Sequence, residues 1–292
     1  MIVIPMIKTT SENSNEIDVY LIAGQSQGVW EFSKDLEVVN SEIPAPEKTA
    51  YYYGNNNPVL WQLIGGQPDW DTTYTTYGMH EAYYANGWVI GDIEPSLAYG
   101  ITKATGHDVY LINVCEKGRS LNYLNTDGKA FIENVITHAL DQIPTHSRIN
   151  YGGCIFMHGE ADASTPVDIY ISEFETFKDS IQSRGFKTFY IVPTVPANAG
   201  NAIEAQRIIA ENNADVILTN NIASTFSIEN ELLQPDGVHY TQKGDDLIGE
   251  EVCSYIPHTA TSNNNDLLKV IPIVMVVALM LMCVRIIAYR ND

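Results

Sequence analysis

The sequence predicts a three-layer α/β/α sandwich around a parallel five-stranded sheet, and three observations predict it. Short apolar, β-branched runs alternate with helix-like segments about five times along the chain. Its 292 residues are 45% hydrophobic and 10% aromatic, enough apolar surface to build a core and too much for a disordered chain. Polar, glycine-bearing segments follow the apolar runs, where an open parallel sheet places its active site.

The elements follow in order. Ile17–Ala23 (IDVYLIA), Asp108–Val114 (DVYLINV), Ile149–Met157 (INYGGCIFM), Thr188–Val192 (TFYIV) and Asp215–Thr219 (DVILT) are continuous apolar runs of strand length, the pattern of strands buried on both faces. Between and after them Glu94–Thr105, Gly128–Gln142, Pro166–Arg184, Asn201–Asn212 and Thr241–Tyr255 read as helices. This alternation requires right-handed crossovers between parallel strands. The stretch 30–90 breaks the rhythm. It is rich in Asn, Gly and Pro and carries Tyr51, Tyr52, Tyr53, Trp61, Trp70, Tyr74, Tyr77, Tyr83, Tyr84 and Trp88. An excursion of this length is functional or disordered, and its aromatics argue for function: such rings stack on sugar faces or fill a small core.

The charge excludes one partner class and divides the chain. The formal charge of −20 opposes nucleic acid, whose phosphates call for clustered Lys and Arg. Residues 267–292 hold Lys269, Arg285 and Arg290 against Asp292, a balance of +2, so residues 1–266 carry −22. Val270–Val284 contains no charge, and 267–289 is long enough to cross a hydrocarbon layer of about 30 Å at about 1.5 Å per residue. The expected organisation is an N-terminal extension (1–16), a main domain (17–256), a polar stalk (257–266), a transmembrane anchor (267–289) and a short tail (290–292). The positive-inside rule puts that tail in the cytoplasm and the main domain outside, at a cell or virion surface. Against this, MIVIPMI at the N-terminus is a poor signal peptide, and a tail-anchored protein lacking one keeps its domain in the cytosol. Cys115, Cys154, Cys253 and Cys283 show no metal-type spacing and read as free buried thiols.

Four segments carry candidate chemistry. Gly24-Gln25-Ser26-Gln27-Gly28 places a serine at a strand's carboxyl end on a tight turn, the position of an exposed nucleophile. In Pro235-Asp236-Gly237-Val238-His239-Tyr240, Asp236 and His239 lie three apart and can face one cleft as orienting acid and general base. Glu116-Lys117-Gly118-Arg119-Ser120 can present the Gly118 amide to an oxyanion. His158-Gly159-Glu160-Ala161-Asp162 clusters polar groups beyond the third strand. His80, in the aromatic excursion, is assigned to the surface or to loop packing, and His107, His138, His146 and His258 to solvent.

These segments, in this order, resemble the SGNH-hydrolase superfamily, and within it the sialate O-acetylesterase-like group that includes carbohydrate esterase family 6. The resemblance rests on DVYLIAGQSQ at 18–27, IEPSLA at 93–98, KGRSL at 117–121, MHGEADA at 157–163 and DGVHYTQKG at 236–244, and spans about residues 17–255. It implies a flavodoxin-like sheet, Ser26 as nucleophile, His239 as base and Asp236 as its orienting acid. The amides of Ser26 and Gly118 and the His158 side chain would form the oxyanion hole, with Gln25, Gln27, Glu160 and Arg119 around the substrate. Three positions depart from the family form: Gln27 replaces an Asn, Arg119 a Gly and His158 a Gln. Arg119 would narrow the pocket or meet an anionic substituent, and Glu160 rivals Asp236 as third member of the triad or braces the site from behind. No metal or organic cofactor is implied. The expected activity is removal of O-acetyl groups from a glycan through an acetyl-serine intermediate, with an acetylated carbohydrate and the membrane as partners. The rivals are a membrane-anchored glycan-binding protein on the same fold with weakened catalysis, and a lipase or thioesterase of the wider superfamily.

Overall fold

A computed structural model describes residues 16–28, 50–54, 57–64, 67–69, 93–141, 143, 145–194 and 200–257. The chain divides into two units, Met1–Pro257 and His258–Asp292, and every described residue belongs to the first. The expected anchor at 267–289 lies outside the described residues, among which no helix is long and apolar enough to cross a membrane.

In chain order the elements are β1 (Glu16–Gly24), β2 (Ala50–Gly54), β3 (Asn57–Ile64), β4 (Gln67–Asp69), α1 (Glu94–Thr105), β5 (Asp108–Asn113), α2 (Leu121–Asn125), α3 (Lys129–Asp141), β6 (Arg148–Met157), α4 (Val167–Ser183), β7 (Phe189–Val192), α5 (Gly200–Asn212), β8 (Val216–Leu218) and α6 (Gln242–Tyr255). The five strands expected from sequence are contiguous in space, in the order β5-β1-β6-β7-β8, and all their pairings are parallel. Counted along the chain, that is second, first, third, fourth, fifth, the flavodoxin-like order. Their carboxyl ends therefore share one edge.

The apolar strands are buried on both faces. On β1, Tyr20 and Ile22 pack into the layer that holds Leu97 and Ile101 of α1 and Ile248 and Val252 of α6. Val19, Leu21 and Ala23 alternate to the opposite layer, with Ile136 of α3, Phe174 of α4 and Ile209 of α5. Local signals set the helix ends. Gly106, in the left-handed conformation at φ 75°, closes α1 with its amide on the Thr102 carbonyl. Thr241 opens α6 by accepting from the Gly244 amide at 3.2 Å.

Two expectations are corrected. Among the described residues the sheet has eight strands: the excursion at 30–90 supplies β2, parallel to β5, and then β3 and β4, each antiparallel to the strand before it. The Tyr-rich run at 51–53 and the Pro58 in β3 hide the period-2 alternation by which an edge strand is recognised. His107 does not face solvent. Its side chain is 19% exposed, with Nε2 3.1 Å from Glu16 and Nδ1 3.0 Å from Asp18. The parallel register of β1 and β5, which sets Ile17 beside Asp108, brings these residues together.

Candidate active site

The serine turn is built by close backbone approach. Gly24 ends β1 at φ +139°, and a Cβ there would lie 2.0 Å from the Met157 carbonyl oxygen at the end of β6, so only glycine fits. The Gln25 amide donates to that same carbonyl at 2.9 Å, and the chain then makes a single 3-10 turn, Ser26–Gly28. Gln25 and Gln27 are buried, while Ser26 between them is partly exposed. Behind the turn, Asn113 at the end of β5 donates to the Gly28 carbonyl at 2.6 Å and to Glu94 at 2.7 Å. Burial pushes the Glu94 carboxyl up to about 7, against the lowering effect of Asn113. Asn113 and Glu94 were not singled out from sequence; a polar residue closing an otherwise apolar strand is the signal that marks Asn113.

His239 sits on a loop that folds locally. Gln234 donates its amide to the His239 carbonyl at 2.7 Å, Leu233 bridges Tyr240, and Gly237 takes φ +68° at the tip. One oxygen of Asp236 accepts the amides of Val238 and His239 at 2.9 and 3.0 Å, and the other lies 2.6 Å from His239 Nδ1. A carboxylate can only accept, so Nδ1 carries a proton and Nε2 is the nitrogen left to exchange one. Burial pushes the Asp236 carboxyl up, but the hydrogen bonds from the His239 ring and the two amides outweigh it and hold it below the usual carboxylate range.

Glu160 occupies a different position. It lies on the short turn Glu160–Asp162 beyond β6 and accepts from the side-chain amides of Gln25 and, at 3.4 Å, of Gln27. Gln25 returns its oxygen to the Ala161 amide at 3.0 Å, and Gln27 donates to the Val238 carbonyl at 2.7 Å. The partner of His239 is therefore Asp236, and Glu160 braces the serine turn. The residue after Ser26 is hydrogen-bonded to the residue before His239. Gln25 and Gln27 turn their amides inward, away from the substrate role that the resemblance implied.

His158 departs further from expectation. Its side chain is fully buried, Nε2 donating to the Arg119 carbonyl at 3.0 Å and Nδ1 lying 3.3 Å from the Tyr170 hydroxyl. Both ring nitrogens are engaged within the protein, so the imidazole has no N–H to offer an oxyanion. Behind it, Gln206 donates to the His158 carbonyl at 2.6 Å. Asp162 joins this segment to the next by accepting from the Leu121 amide at 2.8 Å, at the start of α2, and from Thr165 at 2.8 Å. Gly118 is exposed at φ +63° with open space beside it. Arg119 stacks its guanidinium 4.2 Å from the Tyr123 ring centroid, with Nε 3.6 Å from Glu116, and so is drawn to its own loop. Burial lowers Lys117 to about 8. Cys115, Cys154 and Cys253 are buried, with no disulfide among the described residues.

Burial lowers the His158 imidazole to about 4 although Asp162 pulls the other way, which has a measurable consequence. The unfolded chain takes up a proton there below about 6.5 and the folded protein only below about 4, so this residue's contribution to stability is full above that window and is lost as pH falls through it. Glu94 does the reverse: its raised value makes the folded form lose stability as pH rises from about 4.5 to about 7. In His158→Gln the first effect is gone. Across about pH 4.5 to 6.5 the variant's stability should change with a slope about 1.4 kcal/mol per pH unit more negative than that of the wild type. Urea titrations at four pH values measure it, and parallel curves for the two proteins would refute it.

The described residues thus form a mostly parallel α/β sheet whose five central strands take the flavodoxin-like order, with a serine turn after its first strand and an Asp–His pair before its last helix. Solved structures share this fold. A protein from Arabidopsis thaliana matches with a TM-score of 0.54 at 14% identity, over 81% of this chain and 96% of its own. A protein named NanS matches with a TM-score of 0.50 at 11% identity, over 82% of this chain and 96% of its own. A carbohydrate acetylesterase from Xanthomonas citri gives a TM-score of 0.48 at 16% identity, over 81% of this chain but only 54% of that longer one. No family model and no curated protein sequence matches the chain. At these identities the first two likenesses are of fold alone, and the third, with a TM-score below 0.5, adds nothing to them.

Proposed function

We propose that this chain is a serine esterase that removes O-acetyl groups from a carbohydrate. The observation that carries the reading is the Asp236–His239 pair, held at 2.6 Å and joined to the serine turn through Gln27. Ser26 Oγ attacks the ester carbonyl as His239 Nε2 takes its proton, and Asp236 stabilises the resulting imidazolium. The amides of Ser26 and Gly118 receive the tetrahedral oxyanion. Collapse breaks the bond to the sugar oxygen, which leaves with the proton from His239, and Ser26 holds the acetyl group. Water then attacks that ester, its proton passing to His239, and acetate departs as Ser26 is reprotonated. An anchor at 267–289 would tether this chemistry to a membrane.

Acetate release from O-acetylated glycans and from p-nitrophenyl acetate tests the proposal, alongside labelling by a serine-directed phosphonate mapped to Ser26 by mass spectrometry. The expected result is release from acetyl esters, little from long-chain esters, and one label on Ser26. One observation favours the alternative of a glycan-binding protein with weakened catalysis: His158 faces inward and removes a side-chain donor from the oxyanion hole. Glycan binding with neither acetate release nor labelling would decide for it.

A further inference from the structure

We infer that Gln27 is a positioning residue that sets the general base against the nucleophile; the inference rests on the serine-esterase reading. Gln27 is 5% exposed and immediately follows Ser26. Its two nearby partners, the Val238 carbonyl at 2.7 Å and the Glu160 carboxylate at 3.4 Å, can only accept, so the amide nitrogen must face them both.

The Val238 carbonyl belongs to the peptide whose N–H is that of His239, and that N–H donates to Asp236 at 3.0 Å. Gln27 and Asp236 thus grip the two ends of one peptide group, and its plane fixes the Cα from which the imidazole projects. The other oxygen of Asp236 holds the ring itself. Backbone root and ring orientation of the base are both set, and one of the two grips is covalently adjacent to Ser26. Gln25, on the other side of the serine, makes no such link: its amide is spent on Glu160 and Ala161. The two glutamines around Ser26 therefore divide the work, Gln25 fastening the turn to the end of β6 and Gln27 registering it against the loop of the base.

The test uses Gln27→Met, which keeps length and volume but has no donor, and Gln27→Glu, which donates only when protonated, in the full chain. Because misplacement of reacting groups by about 1 Å can cost about 100-fold, Gln27→Met should lower kcat for p-nitrophenyl acetate and the phosphonate labelling rate by about 10- to 100-fold, with KM and melting temperature near wild type. A carboxyl beside Glu160 holds its proton above the ordinary range, so the Gln27→Glu labelling rate, as a ratio to wild type, should climb as pH falls from about 8 to about 5. Wild-type kcat and labelling in Gln27→Met, or a pH-independent ratio in Gln27→Glu, would overturn the inference. A wild type labelled at Ser26 but inactive on every acetyl ester would sink the carbohydrate-esterase reading alone, with the labelling rates still deciding Gln27. A wild type that cannot be labelled would sink both.

Discussion

Ser26→Ala should lower kcat for acetyl esters by roughly 10⁴- to 10⁶-fold and abolish phosphonate labelling, because the covalent route disappears with the hydroxyl. The turn should survive the change. It is formed by the Gln25 amide on the Met157 carbonyl, by the Gly28 amide on the Gln25 carbonyl, and by the buried flanking glutamines. Circular dichroism and the melting temperature of the variant should accordingly match wild type, so the loss can be assigned to chemistry. Full activity in a correctly folded Ser26→Ala protein would remove Ser26 from the mechanism and direct attention to another nucleophile.

Asp236→Asn should be nearly as damaging, about 10⁴-fold in kcat with a small change in KM. The asparagine oxygen can still accept the amides of Val238 and His239, so the loop keeps its shape. Its nitrogen, however, now faces His239 Nδ1 and donates to it, which moves the ring proton to Nε2 and deprives Ser26 of a base. Glu160→Gln supplies the comparison. Glu160 receives the side-chain amides of Gln25 and Gln27 and does not take the place of Asp236 at Nδ1, so its replacement should cost less, about 10- to 100-fold through disturbed placement. Steady-state kinetics of both variants measure the ranking. If Glu160→Gln proves the more severe, Asp236 is not the orienting acid.

Much of the candidate site was legible because its parts are local. Asp236 and His239 stand three residues apart, so the turn that joins them is written in Asp-Gly-Val-His itself, with Gly237 at the positive-φ tip. Ser26 could be placed after β1 because the glycine before it permits the sharp turn against β6. The resemblance could name positions but not directions. Gln25, Gln27 and His158 were expected around the substrate, and all three face inward. Their partners lie far along the chain: Glu160 is 135 residues from Gln25, Val238 is 211 from Gln27, and Arg119 is 39 from His158.

The sequence by itself determined the five core strands, each an apolar run of the right length because both faces of a central parallel strand must be buried, and the five longer helices, though not the short α2. It also named Ser26, His239 and the two rival carboxylates Asp236 and Glu160 as candidates for nucleophile, base and orienting acid. Only the tertiary structure decided that β2, β3 and β4 extend the sheet beyond β5, because pairing with that edge, and no periodicity of their own, makes them strands. Only it decided between Asp236 and Glu160 at the imidazole. Asp236 reaches Nδ1 from within its own loop, while Glu160, across the sheet edge, is held by Gln25 and Gln27, an arrangement made by segments that only the folded sheet brings together.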